Sequence, residues 1–214
     1  MSKFVAKQQK YLIGIDEVGR GPIAGPVAVG AFIFLKPAAR KLFRGVKESK
    51  QLSEQKREEW FGRIGKARRD GHVDFCVDFQ SERVIDDKGL SCAIKTALTN
   101  SLRKVISRKT AINKKHDKIS SNQVLILLDG GLKAPVDYAN QKTIVKGDEK
   151  EMIIALASIC AKVLRDRKMN LLAKKHPKYG FEKHKGYGTR AHYATIKKHG
   201  ILKVHRRSFM GNLL

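Results

Sequence analysis

The stretch YLIGIDEVGRGPIAGPVAVGAFIF, residues 11–34, decides the fold. It is an apolar run, two adjacent acids, a loop of glycine, arginine and proline, and a second apolar run. Both runs are rich in Val, Ile and Phe, and only turn-forming residues lie between them, so they predict a β-hairpin-like pair of strands. Asp16 and Glu17 then stand side by side at the end of the first strand. They do so in a chain with 45 Lys and Arg against 20 Asp and Glu, a net charge of +25. A field of that size attracts polyanions, nucleic acid above all, but it is silent about catalysis.

Outward from this pair, residues 45–71 predict a helix starting at Ser53, with Leu52, Trp60, Phe61 and Ile64 on its apolar side. HVDFCVDF (72–79) alternates as a third strand. Residues 81–108 read as one helix or two, with Ile94, Ala97, Leu98, Leu102 and Val105 at helical spacing. Residues 109–122 are polar, basic and aperiodic, which predicts an exposed loop. VLILLDGG (124–131) is fully apolar before Asp-Gly, the pattern of a central buried strand. A short strand is expected near QKTIVKG (141–147). One strong helix is expected over 148–176, with Met152, Leu156, Ile159, Cys160 and Val163 as its stripe. Residues 174–214 are crowded with Lys, Arg, His, Gly and Tyr. The whole predicts an α/β layer fold with a C-terminal basic helical addition.

The 214 residues are ample for a core. No apolar run is long enough for a membrane span, and the first residues do not form a secretory signal. Cys76, Cys92 and Cys160 lack zinc or disulfide spacing and predict reduced core thiols of a cytoplasmic protein.

The glycine loop, GRGPIAG, superficially fits a dinucleotide fingerprint. That fingerprint needs a helix straight after the loop, and here a strand-like run follows and two acids precede it. Three acids end apolar runs or open a helix: Asp16, Asp129 and Asp148, with Glu17 as a fourth. Local roles compete with function at each. Asp129 could simply open an Asp-Gly turn, and Asp148 could cap a helix with Glu151 three residues on. Taken together, carboxylates gathered at strand ends repel one another unless cations sit between them. Two divalent ions roughly 4 Å apart serve phosphoryl chemistry on nucleic acid. Adjacent strand residues point to opposite faces, so Asp16 and Glu17 share a site only if the strand ends between them or metals reach both. The histidines of the tail, His176, His184, His192, His199 and His205, show no metal-binding spacing and read mostly as solvated or phosphate-facing.

GIDEVGRGPIAGPV (14–27), ESKQLS (48–53), LLDG (127–130), KGD (146–148), ALASICAKVLRD (155–166), HPKYGFEKHKGYGTRAH (176–192) and HRRSF (205–209) follow one another in order. In that order and spacing the chain resembles ribonuclease HII. The resemblance implies a single RNase H-like catalytic domain over residues 1–214, a mixed sheet flanked by helices, with 174–214 as a basic helical extension packed on it. It implies a monomer that cleaves the RNA strand of RNA/DNA hybrids and nicks 5′ to single ribonucleotides in duplex DNA, leaving a 3′-hydroxyl and a 5′-phosphate. The family's metal-site acids fall on Asp16, Glu17, Asp129 and Asp148, expected to hold Mg²⁺ or Mn²⁺. Gly19, Arg20 and Gly21 match the loop that reads the ribose 2′-OH, where a Cβ would hold the backbone away. Ser49 and Lys50 match a phosphate-contacting pair, and Tyr187 the tyrosine beside the following nucleotide. Arg20, Lys50, Lys146 and the tail are expected to hold the nucleic-acid backbone. Glu48 departs from the family's usual aspartate and Leu156 from a small residue; neither departure is expected to touch the four acids. The ending MGNLL offers no replication-clamp docking motif. The alternatives are a basic binding protein without chemistry and a metal-dependent nuclease blind to the 2′-OH. Ribonuclease HIII fits less well, because it usually lacks the Gly-Arg-Gly pattern.

Overall fold

The computed structural model describes residues 10–112 and 119–211, with side chains except for residues 109–112. Five strands form one mixed sheet in the order β3-β2-β1-β4-β5. β1 (Tyr11–Val18) and β2 (Val27–Phe34) are the expected antiparallel pair, in a register that sets Ile13 against Ile33 and Asp16 against Gly30. β3 (Val73–Gln80) adds antiparallel to β2. β4 (Val124–Asp129) lies parallel to β1, and β5 (Gln141–Ile144) parallel to β4. β1 is the middle strand of the five, and β4, lying between β1 and β5 and buried from Val124 to Leu128, is the central buried strand its apolar run predicts.

The alternation of strand residues divides the core in two. Ile13, Ile15, Val27, Val29, Ala31 and Ile33 face one layer, where α3 (Leu90–Ile112) supplies Ile94, Ala97, Leu98, Leu102 and Val105. Leu12, Phe32, Phe34, Leu125 and Leu127 face the other, formed by α1 (Glu54–Arg69) and α5 (Met152–Lys175). Ser53 caps α1 by accepting the Lys56 N–H at 3.2 Å. The region read as one helix or two is two: α2 (Glu82–Lys88) ends at Gly89, whose φ of 82° a side chain rarely adopts, and α3 follows.

Two helix expectations need correction. The strong helix over 148–176 is split, because Glu151 is extended at φ −123° between α4 (Gly147–Lys150) and α5. α5 also has no single stripe. It is buried on every side from Ile153 to Ala161, as a helix apolar all round must be. Its backbone lies directly on the sheet. A Cβ on Gly14 would fall 2.4 Å from the Ile153 carbonyl oxygen, and one on Gly30 2.6 Å from that of Ala157.

The loop expected at 109–122 starts later, since α3 continues to Ile112; residues 113–118 lie outside the described ones. Cys76 and Cys160 are buried free thiols as expected, but Cys92 is exposed on α3. No described helix is long and apolar enough to cross a membrane. After α5 come α6 (Phe181–His184) and α7 (Arg190–His199), with Phe181, Ile196 and Met210 packed against Ile23, Ala24, Met169 and Ala173.

Candidate active site

The ladder between β1 and β4 stops at Ile15 and Leu128. Asp16 and Glu17 lie one and two residues beyond it, where β4 no longer covers that edge of β1. β1 does not end between them; the two side chains converge over the uncovered edge. Asp129, the last residue of β4, stands beside them. Carboxylate oxygens of Asp16, Glu17 and Asp129 lie within 4.8 Å of one another. Asp148 is outside that trio but adjoins it, since its charge acts on Asp16 and that of Asp129 on it.

Local geometry explains the placement. Lys146 takes the left-handed conformation, φ 54°, and turns the chain into α4. The Gly147 N–H then donates to Asp129 Oδ1 at 2.6 Å. Asp148 sits inside the first turn of α4, so the capping role with Glu151 is overturned. Asp129 does open its turn, as its backbone carbonyl accepts Leu132 N–H at 3.2 Å, while its side chain faces the acids.

The acids are electrostatically crowded. Burial first, then the charges of Glu17, Asp129 and Asp148, push Asp16 well above the usual carboxylate range, against a hydrogen bond from the Ser158 hydroxyl. Burial also raises Glu17, against its bond and ion pair with Arg20. Burial and Asp129 raise Asp148, against Lys50. Glu17 Oε2 is buried and accepts no hydrogen bond. An orphaned carboxylate oxygen among repelling acids, all hard oxygen donors, fits a divalent cation such as Mg²⁺ or Mn²⁺.

The other predicted residues fall around this cluster. Arg20 is exposed and bonds Glu17 Oε1 at 3.0 Å. Lys50 is exposed and lies 3.6 Å from Glu48 Oε1 and 3.7 Å from Asp148 Oδ2. Glu48 is therefore coupled to Asp148 through Lys50, so this departure does reach the acids. Ser49 is turned inward instead of toward solvent, its Oγ 2.8 Å from Ser158 Oγ. Leu156 is buried in the α5 core layer. Lys146 reaches Glu149 at 3.4 Å. Tyr187 is 45% exposed, and a Cβ placed on Gly21 would lie 3.7 Å from its ring.

Sequence reasoning missed two arginines. Arg165 and Arg206 are completely buried. Arg206 Nε donates to the Gly25 carbonyl at 2.9 Å, Nη1 to that of Arg20 at 3.0 Å, and Nη2 to that of Gly19 at 2.7 Å. Arg165 Nε donates to Pro26 O at 2.9 Å and Nη1 to Lys185 O at 3.1 Å, while Nη2 is buried without a partner. Burial, then the charge of Arg165, lowers Arg206 to about 10, which leaves it cationic at neutral pH. Gly19 is needed here for its φ of 92° and because a Cβ would meet Arg165 Nε at 2.2 Å. Its glycine thus serves packing, while Gly21 is the open one. Both lie in stretches that carry the family resemblance, ALASICAKVLRD and HRRSF, but hydrogen bonds to backbone carbonyls leave no spacing that would reveal their role.

The solvated reading of the histidines fails for His192 and His205, which are buried. His192 Nδ1 donates to the Tyr187 carbonyl at 2.9 Å, and Leu202 N–H donates to His205 Nδ1 at 2.9 Å. His205 Nε2–H is thereby left to donate to His192 Nε2 at 3.1 Å. His184 stacks on His192 with centroids 4.1 Å apart.

The ribonuclease HII family model matches residues 13–212. A ribonuclease HII of Caldicellulosiruptor bescii is 36% identical over 99% of this chain and 92% of its own length. One from Bacillus anthracis is 40% identical over 93% of this chain and 68% of its own. The RNase HII in a solved PCNA complex from Archaeoglobus fulgidus superposes with a TM-score of 0.68 at 26% identity, covering 94% of this chain and 96% of that one. With an RNase H-like sheet and an acidic cluster at its strand ends, the chain belongs to the ribonuclease HII family, and is a metal-dependent endoribonuclease acting on RNA/DNA hybrids.

Proposed function

We propose that the protein hydrolyses the phosphodiester 5′ to a ribonucleotide, both in RNA/DNA hybrids and at single ribonucleotides in duplex DNA, leaving a 3′-hydroxyl and a 5′-phosphate. The observation that carries this reading is the convergence of Asp16, Glu17 and Asp129 within 4.8 Å, beside the exposed Arg20–Gly21 end of the glycine loop. Asp16, Glu17, Asp129 and Asp148 would hold two divalent cations, Mg²⁺ or Mn²⁺. Such ions supply Lewis-acid activation of water and neutralise charge on the scissile phosphate.

The chain's own residues do the rest. The acids fix where the cations sit, and Gly147 holds Asp129 in place. The Gly19–Gly21 backbone reads the 2′-OH, the one group that marks RNA against DNA at a single position. Tyr187 stacks beside the following nucleotide. Lys50, whose neighbour Ser49 is committed inward, holds phosphate together with Arg20 and Lys146. The basic C-terminal region of a single catalytic domain, acting as a monomer, adds electrostatic hold.

The test is a nicking assay with Mg²⁺ or Mn²⁺ on duplex DNA carrying one ribonucleotide, beside an all-DNA duplex and the Asp16→Asn variant. A nick 5′ to the ribonucleotide is expected, absent from DNA and lost in the variant. No nick with either ion returns the acids to caps and turns. Equal nicking of the DNA duplex identifies a nuclease blind to the 2′-OH.

A further inference from the structure

Among the described residues no carboxylate forms an ion pair with Arg206, and the more distant charges of Glu82 and Asp86 favour its cation. Arg206 is completely buried, and among the described residues its hydrogen bonds all go to backbone carbonyls of one loop: Gly19 and Arg20 at its start and Gly25 at its end. A buried guanidinium is costly, and a side chain needed only for packing would be apolar. Its cost is offset only if the loop must hold one backbone shape.

That shape follows from peptide geometry. No described peptide bond is cis. In a trans peptide the C=O of one residue and the N–H of the next point in opposite directions. Gly19 C=O and Arg20 C=O both point inward at Arg206. The N–H groups of Arg20 and Gly21 therefore point away from it, and both residues are exposed. Among the described residues neither N–H donates to a group of the chain. Two successive free amides thus face solvent between Glu17, which Arg20 bonds, and Tyr187, which flanks Gly21. Successive outward N–H groups form a concave donor site for oxygen ligands.

We infer that Arg206 is a positioning residue for ribose recognition: by drawing the Gly19 and Arg20 carbonyls inward, it turns the Arg20 and Gly21 amides outward as a paired donor for the ribonucleotide's oxygens. This rests on the proposed reading of the 2′-OH by the loop. Arg165 closes the far side, joining Pro26 and Lys185, and so ties the loop to the segment that carries Tyr187. Arg206 never touches the nucleotide and acts only through the backbone.

The test compares wild-type protein with Arg206→Lys and Arg206→Gln. Binding is measured with Ca²⁺ to a duplex carrying one ribonucleotide and to the same duplex in DNA, with Mn²⁺ affinity and thermal unfolding alongside. In the folded variants the preference for the ribonucleotide duplex falls about tenfold, the size expected when two neutral hydrogen bonds lose their alignment. Affinity for the DNA duplex and for Mn²⁺ stays unchanged, which a merely structural role would not predict. A folded variant that keeps the preference, or that loses both duplexes equally, overturns the inference. A wild-type protein with no preference overturns the loop reading and this inference together. If neither variant folds, amide NMR of the wild type decides. The Arg20 and Gly21 signals should shift differently with the two duplexes, and identical shifts overturn the inference.

Discussion

The Gly147 N–H donates to Asp129 Oδ1 at 2.6 Å, and this bond ties the end of β4 to the start of α4. The acid that ends a strand and the acid that follows a left-handed turn are thereby held as neighbours, although 18 residues separate the bonded pair.

Gly147→Ala tests this tie. A Cβ there would lie 2.7 Å from Ile154 Cδ1 and 3.3 Å from Asp129 Oδ1. Asp129 must give by a few tenths of an ångström, and the end of the buried Ile154 side chain must shift as well. Metal affinity measured by titration calorimetry should fall roughly 10- to 100-fold, the usual effect of losing an outer hydrogen bond to a ligand. Stability should fall by about 1 kcal/mol through the shift of Ile154, so metal affinity is compared at a temperature where both proteins are folded. A variant with wild-type Mn²⁺ affinity shows that the tie is irrelevant.

The acidic cluster opposes folding when no cation is bound. Asp16, Glu17 and Asp148 are all raised above their ordinary values, first by burial. Their contribution is therefore most favourable below the unfolded carboxylate range and is lost as pH rises through the raised folded values. Asp16→Asn should abolish nicking and stabilise the metal-free protein at neutral pH by about 1 kcal/mol. Mn²⁺ should raise Tm more at pH 8 than at pH 5. Calorimetric scans check both, and an Asp16→Asn variant less stable than wild type at pH 8 without metal contradicts the account.

The histidine pair has the opposite sign. Burial lowers His192 from 6.5 to about 4. The unfolded chain takes up a proton below about pH 6.5 that the folded chain refuses, so stability falls as pH drops from 6.5 to 4. The loss from this group is about 3 kcal/mol over that window. His192→Gln should flatten the fall in Tm between those pH values, at the expense of some stability at neutral pH. An unchanged slope means that His192 stays charged in the fold.

Lys50 separates phosphate contact from ribose reading. Its side chain is 80% exposed, and among the described residues its ion pairs are with Glu48 and Asp148. Lys50→Gln should weaken binding to ribonucleotide-containing and all-DNA duplexes equally. It should lower the slope of log affinity against log salt by about one. Binding that ignores salt would show that the charge of +25 serves another end.

The hairpin of β1 and β2, the buried β4 and the four acids were legible because each rests on a local pattern: an apolar run, a turn residue, or a carboxylate at a run's end. Glu151 was not, because one extended residue inside a helical period leaves the period intact. Gly14 and Gly30 read as ordinary strand glycines, since their use depends on the α5 backbone arriving from more than 120 residues away, against Ile153 and Ala157. His192 and His205 looked solvated in a basic tail, and only their mutual bond reveals burial. Arg165 and Arg206 were hidden in the same way, among many charges that do face water.

One consequence concerns time. The loop that follows β1 lies near the start of the chain, yet Arg206 reaches Gly19 across 187 residues. A chain growing from its N-terminus can build the hairpin early, because those contacts are local. Its glycine loop acquires its inward carbonyls only after synthesis has passed residue 206. The loop is thus completed only after all four acids have been made, and a chain that stops short of residue 206 carries Asp16, Glu17, Asp129 and Asp148 without the guanidinium that holds the loop's carbonyls inward.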